Sequence, residues 1–148
     1  MKILKNQDGG VNAIEFIVFF TIIVFIMFAG VDFYVMQSRY GILEQIKEQS
    51  LDRMRIEGWL SETAETEIYT KLNDMGYKDI DIIGSLETTL SSPVTRNVKN
   101  IETSIVSLTI QAKPKEKPFL FGGLVGVEEE GDFVIKVGGE ALSERATY

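Results

Sequence analysis

A chain of 148 residues with 22 acidic and 15 basic side chains carries a net charge of −7, an acidic balance that disfavours nucleic acid as a direct partner. The absence of His and Cys removes disulfides, thiol chemistry, ordinary zinc sites and Ser-His-Asp catalysis, and the remaining Ser, Asp, Glu and Lys fall at no spacing that marks a catalytic site. The reading is therefore non-enzymatic with no cofactor implied, and the length suits one small core beside a membrane segment.

Residues 1–10 form a short leader that holds Lys2, Lys5 and Asp8 and ends in Gly9-Gly10. Val11 to Val31 follows, 21 residues interrupted by a single charge, Glu15. As a helix rising about 1.5 Å per residue this run covers roughly the 30 Å hydrocarbon core of a bilayer. It is longer than the apolar core of an ordinary signal peptide, and the bulky residues around Met27-Phe28-Ala29-Gly30 do not make a small-residue cleavage site. The segment is expected to stay on the protein as a span over residues 11–35. Lys2 and Lys5 place the N-terminus on the cytoplasmic side and the remainder outside, with Arg39 opposing that assignment. Placing Glu15 in lipid costs about 2.5–3.5 kcal/mol on insertion scales, which points to a specific partner for the carboxylate.

Basic leader, terminal glycine, acid five residues on and long apolar run together resemble the class III signal peptide of type IV pilins and pseudopilins. Within that group Gly10-x-x-Ala13-Ile14-Glu15-Phe16 is most similar to the TadE-like pseudopilins of tight-adherence pili, which favour a small residue two before the Glu and an aromatic after it. The resemblance covers about the first 40 residues. It implies cleavage between Gly10 and Val11 by a prepilin peptidase, and a structural or minor subunit of a type IV or Tad-like filament. Other pilin subunits and an assembly platform with its ATPase would be partners, beside membrane lipid. Val11 as first mature residue departs from the Phe or Met of many pilins, and no cysteines serve a C-terminal disulfide loop. Removal of the leader would take the charge from −7 to −8, since its two lysines outnumber its one aspartate. A rival reading is an uncleaved, single-span anchored binding module of the envelope, with Glu15 an interfacial acid near the cytoplasmic headgroups.

Beyond Val31, the stretch Asp32 to Tyr40 mixes aromatic and charged residues as a membrane–water interface does. Three readings stand for Asp32: a pair with Arg39, a pair with a neighbour's cation, or a hydrated interfacial acid. No proline intervenes, so the helix is expected to continue to about Gly58, some 48 residues and about 70 Å from Val11. Met36, Tyr40, Leu43, Ile46 or Lys47, Leu51 and Met54 form its apolar stripe, with Glu44, Glu48 and Asp52 along an acidic edge. Gly58 is the expected terminator and Ser61 the N-cap of a second helix to Met75. That helix would bury Ala64, Ile68, Leu72 and Met75 and pack on the first.

The remainder reads as a small antiparallel sheet. Strands are expected at Tyr77 to Ile83; at Glu102 to Ala112, with Ile105, Leu108 and Ile110 facing inward; and at Asp132 to Val137, with Phe133, Ile135 and Val137 inward. Leu86 to Leu90 would be a fourth. Gly122-Gly123-x-x-Gly126 lacks the Gly-Lys-Ser/Thr of a phosphate loop and precedes Glu128-Glu129-Glu130, so Phe119 to Gly126 reads as a buried loop or an apolar subunit contact. Glu128 to Asp132 reads as a solvated hairpin tip, its spacing unlike that of a calcium loop. The tail from Gly138 is expected to be loosely ordered unless it docks. The predicted fold class is α+β over residues 36–148: a long N-terminal helix whose second half supports the domain, a second helix, and three or four strands.

Overall fold

The computed structural model describes residues 7–88, 92–116 and 133–146, with side chains described from residue 13 onward. The expectations for Phe119 to Gly126 and Glu128 to Asp132 lie outside the described residues.

Helix α1 runs Gln7–Glu57 without a break, 51 residues, or about 76 Å at the standard rise. It stops where the sequence says it should. Gly58 takes φ +82° and its N–H donates to Met54 O at 2.7 Å, the left-handed cap that a residue without Cβ allows. Helix α2, Glu62–Asp74, starts at Ser61, whose hydroxyl accepts from the Ala64 amide, with Glu62 and Glu65 favourably placed in the first turn. Ala64, Ile68 and Leu72 are buried as their spacing requires. Met75 is 51% exposed instead, because the chain turns at Gly76 (φ +83°) and the apolar face ends one turn earlier.

Three antiparallel strands follow in sheet order β1-β2-β3: β1 Tyr77–Gly84, β2 Ile105–Pro114 and β3 Ile135–Leu142. In β2 the buried set is Val106, Leu108, Ile110 and Ala112, while Ile105 is 37% exposed. Ile105 was expected inside. It has the opposite parity from Leu108 and Ile110, so a period of two cannot put all three on one face. The expected start at Glu102 is a 3-10 turn, Ile101–Ser104, that feeds the strand. The alternation in β1 is weak because the strand carries a bulge between Lys78 and Asp81. There Asp79 takes φ +48°, and the extra residue lets both Tyr77 and Ile82 face the core. Among the described residues of the expected fourth strand, Leu86 makes a single parallel bridge with Leu60; residues 89 and 90 lie outside the described residues.

Strand β3 begins later than expected and continues through Gly138-Gly139-Glu140 to Leu142, so the tail docks. Gly139 lies against α1, and a Cβ there would stand 2.8 Å from Leu51 Cδ1, so its lack of a side chain sets how closely strand and helix approach. Beyond the strand, Ser143 is fully buried, with N donating to Ser104 O (2.7 Å) and Oγ to Val94 O (2.7 Å). The last carbonyls of α1 are then taken up: Glu144 N donates to Arg55 O (2.6 Å), the Arg145 guanidinium to Glu57 O, and Val94 N to Gly58 O (3.0 Å). Arg145 also brings positive charge to the negative end of the helix dipole.

One face of the sheet receives α1 along β2 and β3 and α2 along β1. The core between them comes from Leu43, Ile46, Leu51 and Met54 of α1, the α2 face, and the inward residues of all three strands. The two helices face each other across a cleft lined by Ile46, Ser50, Ala64 and Ile68, bridged by Arg53 Nη1 and Glu67 Oε2 at 2.9 Å. Only the second half of α1 takes part.

Candidate functional site

The first half of α1 is the candidate site. Among the described residues one helix is long and apolar enough to cross a membrane, and its most apolar window buries nothing against the rest of the chain. Ile14, Phe16 and Met27 are each more than 60% exposed, and Phe16 and Phe20 stack on the surface at 6.3 Å. An apolar surface of this length without a cover in the monomer is a contact surface for lipid or for other chains. The one hydroxyl in the run is satisfied within the helix, since Thr21 Oγ1 donates to Ile17 O at 2.8 Å.

Gly10 and Val11 lie in the first turns of α1, whose backbone is helical through both. The two adjacent glycines, Gly9 and Gly10, lower helix propensity there by about 1 kcal/mol each relative to Ala. Glu15, four residues past Val11, is exposed and makes no hydrogen bond or ion pair among the described residues. It is therefore available to a cation from outside this chain.

Burial on α1 begins at Asp32, which is only 5% exposed. The hydrated interfacial reading of this acid does not hold. Met36 and Arg39 follow on the same face as half-buried residues, then Leu43 at 0%. Tyr40, expected in the stripe, is 44% exposed, while Ile46 and Lys47, read as alternatives, are both buried, with Ser50 beside them. Burial on this face of α1 thus extends about three turns below the core. Arg39 is held there by Glu116, with the guanidinium 3.4 Å from its carbonyl and 3.9 Å from its carboxylate. Tyr77 ties the base of the sheet to the same turn, its hydroxyl donating to Arg39 O at 3.0 Å.

Lys47 was not singled out by the sequence as a counter-ion. Its amine lies 2.6 Å from Glu44 and 2.8 Å from Glu48, so the acidic edge is neutralised from within the helix while the stem packs on Gly139. Both Lys47 and Tyr77 have raised pKa values. For Lys47 the cause is first the hydrogen bond to Glu44, then that to Glu48; for Tyr77 it is burial, opposed by Arg39. A raised folded-state pKa gives stability that is complete below the unfolded value, about 10–10.5 for these groups, and lost as pH rises through the folded value. The domain is therefore expected to lose stability above about pH 10. Tyr77→Phe should cost about 1 kcal/mol at neutral pH and make the alkaline loss shallower, checked by urea unfolding at neutral pH and above pH 10.

Comparison of the chain with protein-family models, curated protein sequences and solved structures finds no match.

Proposed function

We propose that this chain is a pilin-like subunit of an extracellular filament, held in the membrane by the first half of α1 and cut between Gly10 and Val11 by a prepilin peptidase. The observation that carries this reading is the build of α1: one unbroken helix, exposed and apolar over its first half and the spine of an α+β domain over its second. An anchor needs only to cross the bilayer. A filament subunit needs an apolar helix rigidly continuous with its head, so that the surface covered by lipid before assembly is covered by neighbouring helices afterwards. At roughly 25 cal/mol per Å² of apolar surface, helix against helix outside the membrane is strongly favoured over helix in water. The N-terminus is cytoplasmic in this reading, the domain is extracytoplasmic, and the partners are other subunits and the assembly platform.

The test is the mass of the protein extracted from membranes of cells that express the peptidase. Loss of residues 1–10 supports the proposal; an intact N-terminus, or loss of Met1 alone, overturns it and leaves the anchored binding module.

Glu15 has a specific role in this reading. Cleavage gives Val11 an α-amine with a pKa of about 7.7–8.0, mostly protonated at neutral pH. One turn away, Glu15 meets that amine in its own chain or, after an axial step, in a neighbour. A buried carboxylate left without a cation is strongly destabilising, so the pair selects the axial offsets in which it is satisfied. Glu15→Val is expected to insert and be cleaved nearly as wild type yet to be depleted from sheared filaments, with Glu15→Gln intermediate. Wild-type incorporation of processed Glu15→Val would show that the acid sets no register.

A further inference from the structure

An open groove of about 710 Å³ lies where α1 meets the lower end of β3. Ala29, Phe33, Met36 and Tyr40 form one wall, Phe133 and Val134 the other, and Lys136 stands beside them. Phe33 is 68% exposed, Tyr40 44% and Val134 43%, so the walls are apolar and open.

We propose that this groove is occupied by a lipid of the outer leaflet, its acyl chain between the two walls and its phosphate facing the Lys136 amine, so that the globular domain rests in the bilayer surface. The proposal rests on the reading that α1 spans the membrane. Its warrant is continuity. Ala29 belongs to the apolar run itself, Phe33 to the turn above it, and α1 has no break between them and the core. At about 1.5 Å per residue, Ala29 to Tyr40 covers roughly 16 Å, so a bilayer that accommodates Ala29 also bathes the lower part of the groove. Phe133 and Val134 line the same groove, although they are a hundred residues further along the chain. Asp32, one residue before Phe33, is itself buried. Aromatic rings with a lysine at the rim are the chemistry that the boundary between acyl chains and phosphates selects.

The absence of cysteine makes the test direct, because a single introduced thiol is the only one in the chain. Full-length protein in phosphatidylcholine vesicles is spin-labelled at Val134→Cys, at Ile23→Cys within the run, or at Ile83→Cys, which is 51% exposed on β1. Collision with oxygen, which concentrates in lipid, is compared with collision with a water-soluble nickel chelate. The expected result is that the labels at 23 and 134 favour oxygen severalfold over the label at 83. The same measurement on Phe133→Cys covers the case in which Val134→Cys does not fold, and the same preference is expected there. A label at 23 in lipid with those at 133 and 134 in water overturns the proposal and leaves the spanning reading intact. A label at 23 in water overturns both. If the labels at 133 and 134 are shielded from both reagents and couple to labels on other copies, the occupant is a second copy of the chain and the lipid assignment fails.

Discussion

Gly58→Val is expected to remove most of the stability of the globular domain. At φ +82° a β-branched residue is strained, and an added Cβ would stand 2.4 Å from Val94 O and 3.2 Å from Pro93 Cβ. Val94 cannot simply withdraw, because its amide donates to Gly58 O and its carbonyl accepts from Ser143 Oγ. Strain and displacement together should cost on the order of 3–5 kcal/mol, a large part of the 5–15 kcal/mol typical of a folded domain. Half-buried Trp59 is the neighbouring reporter, so its fluorescence during thermal unfolding in detergent measures the loss. Gly41→Ala is the matching control: Gly41 lies inside α1 with nothing within 4 Å of an added Cβ, and the change should stabilise by about 0.5–1 kcal/mol. Equal effects at the two glycines would show that left-handed geometry at Gly58 does not limit stability.

Gly10→Leu should have the largest effect on function. The apolar run is untouched, so under the proposed function membrane association should stay at wild-type level, while the bulk placed beside the proposed cleavage site should leave the precursor uncut. Mass spectrometry of the membrane fraction is expected to find residues 1–10 retained in nearly all molecules and no subunit in sheared filaments. Normal cleavage of this variant would show that the glycine is incidental, and the pilin reading would lose its processing step.

Sequence reading located the end of α1 and both ends of α2 to within a residue, because Gly58, Ser61 and Gly76 each impose a local geometry that needs no tertiary partner, whereas α1 begins at Gln7, four residues before the expected Val11. Three of the expected strands were legible as an antiparallel set, their phase less so. The bulge at Asp79 cannot be seen until cross-strand partners fix the register, whereas the outward side of Ile105 already follows from its parity against Leu108 and Ile110. Lys47 reads in the sequence only as an alternative to Ile46 on the stripe, and its part as a counter-ion emerges once the two glutamates and Gly139 close around it. The candidate site divides the same way. Gly10, Val11 and Glu15 are local in sequence and were read there, whereas the groove joins residues 29–40 to residues 133–136 and exists only once β3 has been laid on α1.

The caps on α1 also order events in time. The end of this helix is completed by Val94, Glu144 and Arg145, and the ion pair between Arg55 and Glu144 closes a loop of 89 residues. Contacts so distant in sequence form late, because the chain must first lose the entropy of the intervening loop. If the first half of α1 spans a membrane as proposed, it can enter the bilayer as soon as it is made, but the head stays incomplete until residue 145 has emerged on the same side as Arg55. Under that proposal the buried stripe of α1 and the inward faces of β1 and β2 stay uncovered throughout the interval, and a stall during translocation would leave an anchored chain with an unfinished head.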